Sequence, residues 1–400
     1  MNSKLSVNRR LIKFEILTLT LVLLLTLANN LRADTGACNG GNVTVPFLDV
    51  AGNPFFCSIA AAYFSGLTNG TSPTTYSPND VVTREQMAAF ISRTLNQSLK
   101  RGSRRAALRQ WWKPQRIPET AKTILGGDLF AVESDGADLW VADFPNGKVM
   151  RVRGSDGKLL GTWTGADHPR ALLVAEGRIY GTGGSYPGQL FAIDPEQAPG
   201  NVISLATVEG TPVSLAFDGS RIWIGGSGGH IFDPQTAIVN PIPAGICPLG
   251  FAYDGTNMWA TGGCSPEGKL FKLDSSGNVL QTINIGKSPR YPLFDGANIW
   301  VPYGVDQLGG QAALAVVRAS TGTVVATLTG NGLGQSAGTM AFDGERILVP
   351  NYYGSLSLWR AADLAPLGTF SVGPGDVHGT CSDGVNFWVT LGSSGKLGRF

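Results

Sequence analysis

Charge is scarce in this chain. Only 15% of the 400 residues are Asp, Glu, Lys or Arg, against 54 glycines and nine tryptophans. Such a balance fits a turn-laden β protein better than a helical bundle or a solvated disordered segment. The formal net charge is +2, but its distribution is uneven. Residues 100–116 hold seven basic side chains and no acid, which leaves the remaining body net acidic. That body is not one that nucleic acid would recognise by charge.

Catalytic signatures are missing too. The sequence contains no CxxC pair, no phosphate-cradling glycine loop and no nucleophile elbow. Its three histidines, His168, His230 and His378, are thin material for a metal centre, which needs convergent His, Asp or Glu. No cofactor is expected. Long apolar runs are limited to one, over 16–28, preceded by Lys4, Arg9, Arg10 and Lys13 and followed by small Ala33. Its length falls short of the ~20 residues of a spanning helix. Residues 1–33 therefore read as an export signal, with an uncleaved anchor or lipoprotein-type processing at Cys38 as alternatives.

Export would place the five cysteines where pairing is favoured. Cys247 and Cys264 flank the Asp254-Gly255 turn, and counting outward from Tyr253 opposite Met258 sets them face to face. Cys38 and Cys57 are candidates for a second bridge. Cys381 is left over and suits a buried apolar place.

What the chain does have is one phrase repeated seven times. It is clearest at Phe294-Asp295-Gly296-Ala297-Asn298-Ile299-Trp300-Val301: an apolar run, an Asp-Gly turn, then an aromatic-bearing run. Asp-Gly between apolar segments signals a hairpin, because Gly accepts positive φ and Asp bonds its own backbone. The aromatic position falls at Trp140, Tyr180, Trp223, Trp259, Trp300, Leu348 and Trp388, at intervals of 36 to 48 residues. A period near forty built from strands predicts a β-propeller with seven four-stranded blades. The last repeat has only three strands before Phe400. The segment 120–125 is expected to supply the fourth and close the ring. The recurring tryptophans are read as core between blades, not as a sugar-binding row.

Upstream the character differs. Residues 34–46 read as a loose leader. A short helix is expected around Phe55, Phe56, Ile59 and Tyr63, stopping at Gly66. A second opens at Thr83, with Gln86 completing a capping box and Met87, Phe90, Ile91 and Leu95 as its apolar stripe. Residues 97–119 read as a basic linker, either a solvated connector or a patch for an anionic surface.

Residues 47–96 resemble an S-layer homology (SLH) domain. The resemblance rests on Phe47-Leu48-Asp49-Val50, Gly66-Leu67-Thr68-Asn69-Gly70, Tyr76-Ser77-Pro78-Asn79 and Thr83-Arg84-Glu85-Gln86-Met87, with Phe90 and Arg93 following. It implies attachment to the cell envelope through an anionic wall polysaccharide, with Arg84 touching the glycan's acidic groups. A pairing of Arg84 with Glu85 or a nearby loop acid is the other reading. Wall-binding members usually supply three repeats, and one is found here; the Phe55-Phe56 pair stands where the family has a tryptophan.

Residues 120–400 resemble the NHL/YVTN class of bacterial seven-bladed propellers, a likeness that implies architecture and little about activity. Loops joining one blade's outer strand to the next blade's inner strand carry Asp167, His168, Arg170, Arg290, Tyr291, Asp376 and His378. His230 follows a loop that opens on the same side. Together they are candidates for a ligand-binding mouth, with a merely solvated rim as the alternative. Streptogramin B lyases are seven-bladed propellers with similar strand motifs, but neither their metal-holding set nor that of gluconolactonase-like propellers finds a counterpart. The sequence thus predicts a mainly β, exported, non-enzymatic envelope protein: a small helical SLH-type module and a seven-bladed propeller that binds an unknown protein or glycan. A secreted metal-dependent lyase or lactonase using His168, His230 and His378 is the alternative.

Overall fold

Each Asp-Gly phrase folds through one carboxylate. In the fourth repeat Asp254 Oδ1 accepts the N–H of Thr256 at 2.8 Å and of Asn257 at 2.7 Å, while Oδ2 accepts the Trp259 indole N–H at 2.8 Å. Gly255 takes the positive φ of 92° that the turn requires. The same acid–indole bond joins Asp135 to Trp140, Asp218 to Trp223, Asp295 to Trp300 and Asp383 to Trp388. A spacing of five residues thus sets the turn and satisfies the buried indole's donor. In the sixth repeat Leu348 replaces the aromatic, and Arg346 Nε takes the indole's place on Asp343 at 2.8 Å. The second repeat has Glu176-Gly177 and buries Tyr180 instead.

The computed structural model describes residues 33–38, 41–101, 122–243, 246–262, 268–304, 312–334, 338–351, 354–373 and 376–400. The signal read over 1–33 thus lies outside the described residues up to 32, as do Cys264 and most of the basic linker. Seven four-stranded antiparallel sheets follow one another around a ring. Among the described residues the protein is mainly β, a seven-bladed propeller with two α-helices near its start. Blade 4 is representative, with strands Pro248–Tyr253, Met258–Gly262, Lys269–Leu273 and Val279–Asn284. In blade 7 the outer strand is Lys122–Ile124, paired antiparallel with the C-terminal Lys396–Arg399 through Thr123 opposite Leu397. The ring closes between distant parts of the chain and leaves no open sheet between its ends.

Buried clusters lie between neighbouring blades, which is why the tryptophans repeat. Trp223, for example, packs with Phe251, Met258 and Ala260 of the next blade. Inner strands often begin with a bulge. In blade 4 the register shifts between Pro248 and Gly250, and Cys264, the expected partner of Cys247, lies outside the described residues. Cys247 is itself disulfide-bonded.

The N-terminal part departs from expectation in three places. Residues read as a loose leader form a hairpin, Thr35–Cys38 with Gly41–Thr44, whose Val43 is buried and whose Cys38 is bonded to Cys57. The first helix, Phe56–Phe64, buries Phe56, Ile59, Ala60 and Phe64, while Phe55 points outward. The second helix, Arg84–Arg101, has the capping box: Thr83 N–H donates to Gln86 Oε1 at 2.9 Å and Gln86 N–H to Thr83 Oγ1 at 3.2 Å. Its apolar stripe is not buried, however, since Met87 and Ile91 are exposed. Among the described residues no helix is long and apolar enough to cross a membrane.

This module is seated on blade 5. Val45, Phe47, Phe56 and Phe64 share one buried cluster with Trp300, Leu314 and Val316. Two blade-5 side chains cap the first helix. Asn298 Nδ2 donates to Phe64 O at 2.8 Å, and Arg318 Nη2 to Tyr63 O at 2.6 Å. The Arg318 guanidinium also lies 5.2 Å from the Tyr63 ring centroid. A cation at a helix C-terminus meets the negative end of the helix dipole and the otherwise unpaired carbonyls.

Candidate functional site

An inner strand runs from one face of the ring to its Asp-Gly turn on the other. The loops entering inner strands, and those between second and third strands, therefore gather on one face. A cavity of about 80 Å³ lies among the blades, walled by inner strands of blades 1 to 4 and 7 and by the segments that lead into those of blades 5 and 6. Its polar lining includes Arg170, Ser214, Tyr291, His378, Thr339 and Glu133.

Arg170 enters from blade 2, after the His168-Pro169 turn. Its backbone N–H is tied to Thr182 O at 2.7 Å. The guanidinium lies 4.6 Å from the Phe144 ring centroid and 6.0 Å from that of Phe130. Its Nε is buried without a hydrogen-bond partner. Phe130 also stacks on the His378 ring, with centroids 4.4 Å apart. Burial lowers the His378 pKa, against the opposing charges of Asp128 and Asp376, so the imidazole is neutral at neutral pH. Tyr291 stands within electrostatic reach of two arginines. Burial pushes its hydroxyl up, and Arg290 and Arg170 oppose that shift.

Other candidates are placed around this centre. His168 sits on the rim at a φ of 44°, its Nδ1 2.6 Å from Asp167 Oδ1, and its ring meets Phe144 edge-on at 5.2 Å. The structure thus joins His168, Arg170 and His378 through Phe144 and Phe130. Arg290 lines a separate cleft of about 10 Å³ between blades 5 and 6, with Ser288, Tyr303 and Leu333. His230 is elsewhere: it is buried in the third strand of blade 3, opposite Ile224 and Pro241. Burial lowers its pKa as well, partly offset by Glu209. Among the described residues no group of three His, Cys, Asp or Glu is placed to hold a metal ion.

Glu133, Phe130 and Phe144 were not singled out from the sequence. Glu133 is half-buried and lines the cavity, and desolvation raises its pKa from 4.5 to about 8 despite a hydrogen bond from the Ser134 backbone. A signal was present: in the inner strand Leu129–Ser134 an acid follows an unbroken apolar run, Leu129 to Val132.

A second concavity lies in the module. About 570 Å³ is enclosed by the 68–71 loop, the 76–82 segment and the second helix, with Asn69, Tyr76, Asp80, Gln86 and Phe90 in its wall. Asp49 anchors this wall by accepting the N–H groups of Tyr76 and Ser77. Arg84 is exposed at the helix start beside it.

Residues 46–88 match the family model of the S-layer homology domain. A search of curated proteins found no match. Among solved structures, hydrazine synthase of Kuenenia stuttgartiensis aligns with a TM-score of 0.57 and 15% identity, covering 69% of this chain and 96% of that one. At that identity the likeness is one of fold alone.

Proposed function

We propose that this chain is an envelope-attached binding protein, held to an acidic envelope polysaccharide by its S-layer homology domain and presenting the propeller mouth to a partner or glycan. Proteins with this domain are associated with the cell surface, and the domain generally binds envelope polysaccharide. The observation that carries the reading is how the two parts are joined. The first helix docks beside the Asp295-Gly296 turn of blade 5, so the module sits on the turn side of the ring. The mouth opens on the opposite side. Attachment through the module would leave the mouth facing away from the envelope.

Arg84 supports the same reading. A cation in the first turn of a helix opposes the dipole, a placement that favours an external anion as its partner. The full-length chain should sediment with purified envelope polysaccharide, and Arg84→Ala should weaken that binding about tenfold, as loss of a charge-assisted hydrogen bond predicts. Unchanged binding would remove Arg84 from the site. Failure of the native chain to sediment would overturn attachment.

A further inference from the structure

We propose that the propeller throat receives the carboxylate head of a small ligand, with Arg170 as its counter-ion. The inference rests on the mouth being a ligand site and names the chemistry that site would take.

The first observation is an unanswered cation. Arg170 makes no ion pair or side-chain hydrogen bond among the described residues, and its Nε is sealed from solvent. Burying a charged donor without a partner is costly, and aromatic faces return only a fraction of what water supplied. Yet Phe144 and Phe130 hold the guanidinium in place against the cavity. A planar fork fixed in advance and lacking an acceptor is suited to a planar carboxylate.

The second observation is the charge of the wall. Of the described residues lining the cavity, only Arg170 carries a fixed charge. Glu133 also lines it, but desolvation raises its pKa to about 8, so the acid is mainly protonated at neutral pH. Tyr291 stays a neutral phenol, and His378 a neutral imidazole. One cation among neutral donors matches a monoanion better than a phosphate dianion. Ser214 Oγ, buried and without a partner, borders the same space.

Size sets the third limit. A void of about 80 Å³ exceeds the ~10–15 Å³ that one water needs, but falls well below the ~300–1,000 Å³ of a site that swallows a whole ligand. A head group enters, and the body stays at the mouth. The carboxylate can belong to a free small acid or to an acidic sugar of a glycan.

Calorimetric titration of the full-length protein with acetate, glucuronate, glucose and sulfate tests this directly. Acetate and glucuronate should bind at millimolar concentration or better, and glucose and sulfate should not. Binding of acetate and glucuronate alike points to a free acid's head as sufficient, and binding of glucuronate alone to an acidic sugar. Arg170→Gln should weaken carboxylate binding about tenfold or more, and Arg170→Lys, which keeps the charge and loses the fork, by an intermediate factor. Arg178→Gln, on the turn face, should change nothing. A native Tm in Arg170→Gln separates lost binding from lost folding. Absence of carboxylate binding, equal binding of sulfate, or an Arg170→Gln variant that binds normally would each overturn the proposal. A neutral glycan captured at the mouth without any carboxylate response would leave the mouth reading standing and remove this one.

Discussion

In five of the blades a single aspartate both shapes a turn and answers a buried indole. Burial by itself pushes the Asp218 carboxyl up, but the bonds from Trp223 and the Arg221 and Ser220 backbone outweigh it, and the net shift is downward. These acids are framework, not catalytic reserve. Replacing Asp254 by Ala removes three hydrogen bonds and strands the Trp259 indole N–H, so urea denaturation should show a loss of about 3 kcal/mol. A loss within the scatter of surface substitutions would contradict this role. Glu133 behaves in the opposite sense. Its folded pKa is raised to about 8, so its contribution to stability is whole below the unfolded value near 4.5 and declines as pH rises through 8. The Tm of the native protein should therefore fall relative to Glu133→Gln between pH 5 and pH 9. Parallel curves would mean that the carboxyl is solvated. The turn acids were legible in the sequence because they act within five residues. Glu133 was not, because its role comes from what other strands place around it.

At the scale of elements, local signals were reliable and long-range ones uneven. The hairpins stand where the Asp-Gly phrases put them, and the closing strand Lys122–Ile124 follows from counting strands. The hairpin over 35–44 was illegible because its four-residue strands are held by long-range partners, a shared apolar cluster and the Cys38–Cys57 bond. Periodicity gave the second helix its stripe, but nothing in a periodicity says that a partner covers it. Ring closure can be tested by truncation. Removing residues 102–116 should leave the Tm of the propeller unchanged, whereas removing 117–126 should lower it by several degrees. Equal melting of the two would mean that the ring is closed otherwise. The seat on blade 5 is testable as well. Arg318→Ala withdraws a buried cation from two helix-terminal carbonyls and should cost the module about 2–3 kcal/mol, splitting one calorimetric transition into two. A single unshifted transition would show that the cap is dispensable.

For the whole molecule, the seven-fold period made the architecture readable, and the alignment with a hydrazine synthase chain agrees with it as a fold. The mouth was only half readable. Loop class put His168, Arg170, Tyr291 and His378 on one face, but convergence depends on side-chain direction across the ring. Arg290 and His230 share the loop chemistry and still face other spaces. The seat on blade 5 has a mechanical consequence. The module is joined to the ring twice: through the chain that leads into Lys122–Ile124, and through the Asn298 and Arg318 contacts. Tension entering from the module would otherwise arrive at a three-residue edge strand, which can be peeled away one pair at a time. The contacts on blade 5 offer a parallel route for that load and shield the strand until they break. Pulling on the module in an optical trap should thus give a first rupture at blade 5 and a second at blade 7, and Arg318→Ala should lower the force of the first while leaving the second unchanged.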